Sequence, residues 1–395
     1  MMKRFFSIVK RELKHFIFTP IAMLILFGGP LIFGLIIGLV YLNAKPLDLP
    51  IVVVDEDNTI LSQNIIEALE ENQFLKVIKV TPNEFEAQKY FRNQTVEGIV
   101  TIPSRFEADI QQKRNPEIDV NLNAINILTS NYINTGIIKT LSTINAGIEI
   151  NSLQKKGMPN NTANDQFESF KINVDRYYNP ESNYLRFLWP GITGTILQQI
   201  FLLVIAIIFA KEFEKNTFHE ILKYSKSTTT ILLAKSFPYL VMMTFIWIGM
   251  LYLMYPLFHI DIIGSFWVIL TFSLLFILSL LFMGVMVSLL FPTQLLSTEI
   301  LMIIASPSFI VSGYTWPVSQ MPVFIQYIAN ALPLTHFLSG FRKIVFMGNN
   351  LLDVKSEIFA LLILLLISIT ISWFSLNYKI KKDRKKEIQN QLNLW

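Results

Sequence analysis

Apolar residues along this chain gather into five uncharged runs, 16–44, 187–210, 236–260, 262–341 and 358–378, with Glu299 the one charged residue inside the fourth. A helix crosses a hydrocarbon core about 30 Å thick with about 20 apolar residues, because each residue rises about 1.5 Å. Every run reaches that length, and the fourth is long enough for more than one crossing. Between the first and second runs lie 142 residues of water-soluble character, 45–186. The pattern is an anchor, a large insert, then a bundle.

The fourth run decides the number of crossings. It predicts one helix at about 264–290 and another at about 295–314, joined by the turn Phe291-Pro292-Thr293-Gln294. The remainder, 323–341, is apolar but broken by Asn330, Pro333 and His336. Positive charge near span ends marks the cytoplasmic side. Lys3, Arg4, Lys10, Arg11 and Lys14 precede the first run; Lys379, Lys381, Lys382, Arg384, Lys385 and Lys386 follow the last. Lys211, Lys215, Lys223 and Lys226 follow the second run. Both termini and the 211–226 loop are therefore expected inside. Counting 323–341 as a full span would send the basic tail outside, so 316–346 is read as an external re-entrant pair of half-helices. Such broken backbone survives at membrane depth only when protein or a water-filled cavity covers it.

The expected fold is an α-helical polytopic membrane protein with six transmembrane helices and an inserted external α/β domain. Residues 1–18 form an interfacial amphipathic helix, because Phe5, Phe6, Ile8, Val9, Leu13, Phe16 and Ile17 share the segment with the basic residues. The first span covers 19–43, the insert 44–186, spans two to six 187–378, and a basic cytoplasmic tail 379–395.

Within the insert, 49–55 (LPIVVVD), 74–80, 98–102 and the alternating 118–124 read as strands, with helices over 59–71 and 106–113. Thr81-Pro82-Asn83-Glu84 reads as a helix start with Thr81 as N-cap. This order implies a small α/β sheet. Ile133, Ile137, Ile138, Leu141, Ile144 and Ile148 mark a long amphipathic helix, and 155–165 reads as a flexible loop.

Composition agrees: 52% of the 395 residues are hydrophobic and only 16% charged, which excludes a soluble globular domain. Cysteine is absent, so disulfides and thiolate metal sites are excluded. Asp55, Glu56 and Asp57 lack the glycine and distal glutamate of a calcium loop and read as a strand end followed by a turn. His15, His219, His259 and His336 show no ligand spacing, so no metal site is expected. Neither a GxSxG elbow nor a GxxxxGK[ST] phosphate loop occurs. Lys235, at the inner end of the third span, is expected to snorkel, and Trp189, Trp316 and Trp373 to sit in interfacial belts.

Taken in order, several segments resemble the permease of a type-2 ABC exporter, the branch with a large external domain after its first span. They are Lys10-Arg11-Glu12-Leu13, Val54-Asp55-Glu56-Asp57-Asn58, Gly98 to Pro103 with Phe106, Tyr178-Asn179-Pro180-Glu181, and Pro190-Gly191. Gly313-Tyr314, Met321-Pro322, Leu332-Pro333-Leu334-Thr335 and Arg342 resemble the family's external re-entrant segment. The most specific is Lys211-Glu212-Phe213-Glu214-Lys215-Asn216-Thr217-Phe218-His219-Glu220-Ile221-Leu222, similar to the family's cytoplasmic R-E-x-E-x-G-T-x-E-x-L loop. Lys211 departs from its arginine, and Asn216 from its glycine. Asn tolerates the left-handed backbone, so the turn can survive.

The resemblance implies a transport subunit without its own ATPase site. A separate ABC ATPase subunit, carrying ATP and Mg, would dock on Lys211, Glu212, Phe213, Glu214, Thr217, Phe218 and Glu220. The carboxylates would be offered to it, and the two phenylalanines would serve as apolar anchors. The chain itself would hold no cofactor, metal or nucleic acid. A second permease, identical or homologous, would complete a path near Gln198, Gln199, Glu299, Pro333 and His336; a periplasmic adaptor is a further candidate partner. A charge at mid-bilayer is costly, so Glu299 either faces that path or reaches the cytoplasmic interface. The expected function is ATP-driven export of a hydrophobic or amphiphilic substrate across a bacterial inner membrane. The alternative is a receptor sensing an external ligand through the α/β domain.

Overall fold

The structure, a computed structural model, describes residues 2–155 and 177–392. The chain divides into two compact units, Met1–Leu42 with Tyr177–Trp395, and Asn43–Arg176.

The first unit is a helical bundle. It opens with α1 (Met2–Ile17). Six helices among the described residues are long and apolar enough to cross a membrane, matching the expected number. They are span 1 (Pro20–Val40), span 2 (Tyr184–Glu214), span 3 (Thr228–Leu257), span 4 (Phe266–Leu290), span 5 (Gln294–Val311) and span 6 (Leu351–Arg384). Spans 2 and 4 are the most enclosed, and spans 1, 5 and 6 lie at the periphery. Two spans contain a turn of π-helix, Leu24–Gly28 in span 1 and Met250–Met254 in span 3. Each sits just ahead of a proline, Pro30 and Pro256. Proline lacks an N–H and its ring meets the carbonyl four residues back, so the wider turn accommodates it without ending the helix. Trp189 is fully buried, and its indole N–H donates to the Gly34 carbonyl at 2.9 Å. That corrects its expected place in an interfacial belt: the hydrogen bond satisfies its polar edge inside the bundle. Trp316 is exposed.

Between spans 5 and 6 no described helix is long and apolar enough to cross. Two short helices, α7 (Val323–Asn330) and α8 (Pro333–Met347), follow, with Ala331 and Leu332 between them and Pro333 opening the second. Asn330 and Pro333 thus break the apolar stretch where the sequence indicated.

The insert unit is a four-stranded sheet in the order β2-β1-β3-β4. β1 (Leu49–Asp55) runs parallel to β2 (Leu75–Thr81) and β3 (Gly98–Ile102); β4 (Asp119–Leu122) is antiparallel to β3. In the chain order of the unit's helices, α2 (Ile60–Glu70), α3 (Glu84–Arg92), α4 (Phe106–Gln111) and α5 (Ile127–Lys155) alternate with or follow the strands. Central β1 is buried along Ile51–Val54 on both faces, as a parallel strand between helical layers must be. Helix α3 starts two residues later than the Thr81 cap implied. Thr81 ends β2, and the N-cap is Asn83, whose side chain accepts from Phe85 N at 2.9 Å. Asp55 closes the strand–turn junction, accepting from the amides of Asp57 and Asn58 and from Ser62 Oγ at 2.8 Å. The polar stretch 155–165 lies, after Lys155, outside the described residues.

Candidate functional site

Span 2 continues unbroken to Glu214. The chain then reverses at Asn216, which takes φ 53°, the left-handed region that the family glycine would occupy, and enters α6 (Phe218–Tyr224). Residues 211–214 therefore extend the span, and the rest of the 211–222 segment is a tight turn and a short helix folded back beside it.

Its anchoring is ionic and internal. The Arg11 guanidinium forks onto Glu212, with Nη1 2.6 Å from Oε1 and Nη2 3.1 Å from Oε2. Nη2 also reaches Glu220 at 3.2 Å. Lys235 Nζ lies 2.6 Å from Glu12 and 3.0 Å from the same Glu212 oxygen that Arg11 holds. Thr217 Oγ1 donates to Glu212 Oε2 at 2.5 Å. Glu12, Glu212 and Lys235 are all buried, so Arg11 and Lys235 meet two buried carboxylates, and the partly exposed Glu220 adds a third on the Arg11 side. Burial works against the Arg11 charge, but the hydrogen bond and charge of Glu212 outweigh it and hold the guanidinium above its ordinary value. Neighbouring His15 is pushed below its ordinary value by burial and by Arg11. Four elements, α1, the end of span 2, α6 and the start of span 3, meet at this cluster.

Three sequence expectations change here. Lys235 does not snorkel: Ile231, Leu232, Lys235 and Tyr239 form one buried stripe of span 3, which points the ammonium at Glu12 and Glu212 rather than at water. Glu212 is not offered outward, because Arg11, Lys235 and Thr217 occupy its oxygens. Phe213 and Phe218 are turned inward, their rings 5.2 Å apart, with Lys379 3.7 Å above the Phe213 ring. The outward face instead carries Glu214, Lys215, Asn216, His219 and Lys223. Glu214 accepts from Gln294 N and Nε2, both at 2.9 Å, tying span 2 to the start of span 5. Lys211 is half-buried beside the cluster.

The residues named for a path do not gather at one point. Gln198 is buried and donates to Ser308 Oγ at 2.8 Å, joining spans 2 and 5, while Gln199 is half-buried. Glu299 is exposed near the opposite end of span 5, nine residues or about 13 Å of helix from Ser308. Pro333 is buried at the start of α8, and His336 Nε2 lies 2.9 Å from the Asn330 carbonyl.

At that end of the bundle, Tyr314 and Arg342, which lie 28 residues apart in the chain, form a clasp. Tyr314 donates its hydroxyl to the Phe187 carbonyl at 2.6 Å. The Arg342 guanidinium stacks 3.9 Å over the Tyr314 ring and donates to its carbonyl at 2.8 Å. The neighbouring Lys343 ammonium lies 2.6 Å from Glu357, fixing α8 to span 6.

Six spans, an inserted α/β domain and an ion-locked extension of span 2 define a polytopic membrane permease. Residues 21–374 match the ABC-2 family transporter protein family, and the chain belongs to it. It is 22% identical over 368 residues to the probable multidrug ABC transporter permease YbhR of Escherichia coli, covering 92% of this chain and 95% of that one. It is 28% identical over 198 residues to the probable multidrug ABC transporter permease YbhS of the same organism, covering 47% and 51%. It is 27% identical over 117 residues to the linearmycin resistance permease protein LnrN of Bacillus subtilis, 30% of each chain.

Proposed function

We propose that this chain is the membrane subunit of an ATP-driven exporter that moves a hydrophobic or amphiphilic compound out of a bacterial inner membrane or cytoplasm. Both termini and α6 face the cytoplasm, and α7 and α8 face outward. ATP and Mg belong to a separate ATPase subunit, and a second permease completes the path. The observation that carries this reading is the continuity of span 2 to Glu214 together with the ion cluster of Arg11, Glu212, Glu220 and Lys235, which holds α6 against it. A force on α6 then moves span 2, α1 and span 3 together instead of being dissipated in a flexible loop. The multidrug and linearmycin-resistance relatives support an amphiphilic cargo.

The clamp divides the labour within the segment. Glu212, Thr217, Phe218 and Glu220 hold α6 to the bundle, and Glu214, Lys215, His219 and Lys223 present charge to the ATPase. The test is ATP-dependent accumulation of a fluorescent amphiphile in inside-out vesicles carrying this chain with its ATPase. Replacing the exposed His219 and Lys223 together by Glu lowers that transport about tenfold, with membrane insertion and melting temperature retained. Unchanged transport by the double variant removes the assignment.

A further inference from the structure

The charge cluster leaves an adjoining feature unexplained. Next to it opens a cavity of about 300 Å³ between α1 and the ends of spans 1, 2 and 3. Glu12 and Glu212 stand at its back, already answered by Arg11 and Lys235. Its rim carries Lys211 and Lys215, neither of which enters an ion pair among the described residues, and which repel each other. The side wall is apolar, formed by Phe18, Ile207 and Ile208. Phe18 is 74% exposed, and the apolar exposure continues along span 1 through Ile21 and Leu24.

We propose that this cavity is a binding site for the phosphate headgroup of an anionic phospholipid. Its phosphodiester oxygens sit between the Lys211 and Lys215 ammoniums, and an acyl chain runs along Phe18, Ile21 and Leu24. The charge arithmetic favours an anion, because among the groups lining the cavity Arg11, Lys211 and Lys215 outnumber Glu12 and Glu212. A zwitterionic lipid would bring its own ammonium to that rim. Depth favours a lipid over a soluble phosphate: Lys211 follows the last apolar turn of span 2, and Thr19 and Pro20 open span 1, the level at which headgroups lie. The lipid would lie against Glu212 and the base of the 211–222 segment, so leaflet composition would bear directly on it. The site depends only on the chain being in a bilayer, and therefore stands or falls independently of ATP-driven export.

The experiment is lipid retention by the purified full chain in nanodiscs of phosphatidylcholine doped with phosphatidylglycerol, measured by native mass spectrometry. The expected result is selective retention of about one phosphatidylglycerol per chain, with no equivalent retention of phosphatidylcholine. Lys211→Gln with Lys215→Gln lowers that selectivity about tenfold, and raised salt weakens it. Neither lysine has an ion-pair partner to lose, so the double variant keeps its fold; Phe18→Ser, which keeps the rim, reduces retention less. Equal retention of both lipids, or undiminished selectivity in the lysine variant, overturns the site. Displacement by glycerol phosphate at the same concentration as the lipid identifies a soluble anion as ligand and overturns the lipid assignment.

Discussion

Lys235 places its ammonium 2.6 Å from the Glu12 carboxylate, joining the first helix of the chain to the third span across 223 residues of sequence, with both groups buried. Removing one member of a buried ion pair strands the others, which costs about 3–5 kcal/mol. Lys235→Met should therefore lower the melting temperature of the detergent-purified protein markedly. Adding Glu12→Gln should recover part of the loss, since the stranded charge disappears with it. A single variant that melts with the wild type would show that the cluster contributes no stability.

Asn216 holds φ 53° at the turn between span 2 and α6. Glycine adopts this conformation without penalty, whereas a β-branched residue does so at about 1–2 kcal/mol. Asn216→Gly should leave stability and transport near wild type, and Asn216→Val should weaken both. Circular dichroism melts together with vesicle transport check the pair. Equal behaviour of the two variants would mean the turn tolerates any backbone.

The span count and the insert's α/β class were legible because each rests on a repeating pattern: uncharged length for the spans, and alternation and capping for the sheet. Asn216 was legible because its residue type reports its backbone conformation. The ion cluster was not, since its members lie at 11, 12, 212, 220 and 235 and only folding brings them together. One signal was present. Ile8, Val9, Glu12 and Phe16 are the buried positions of α1, so Glu12 interrupts an apolar stripe at helical spacing. A carboxylate on such a stripe must find a cation, and Lys235, on the buried stripe of span 3, supplies it. Trp189 misled for a related reason: nearness to a span end does not say which side of the helix faces lipid.

Orientation is tested in the segment joining α8 to span 6. A reporter fused after Asn350, active only outside the cytoplasm, should be active, and one fused after Arg384 should be silent. α8 ends at Gly348, whose φ of +70° terminates the helix, and Asn350 caps the next turn, so the insertion interrupts no helix. A silent reporter at the first position would turn the last two helices around and place α7 and α8 on the ATPase side.

Gly191 is where the Tyr314 clasp can be probed without touching a polar group. A Cβ there would stand 2.5 Å from the Tyr314 ring, inside van der Waals contact. The ring cannot retreat freely, because its hydroxyl is hydrogen-bonded to Phe187 and Arg342 covers its face. Gly191→Ala should therefore cost about 1–3 kcal/mol through overpacking, seen as a lower melting temperature. The same substitution in a Tyr314→Leu background should cost less, because the smaller side chain leaves room for the methyl group. If the cost is identical in both backgrounds, the strain lies elsewhere in span 2. If it shrinks, the close approach of span 2 to the chain after span 5 depends on this glycine, and transport by the single variant should fall with stability.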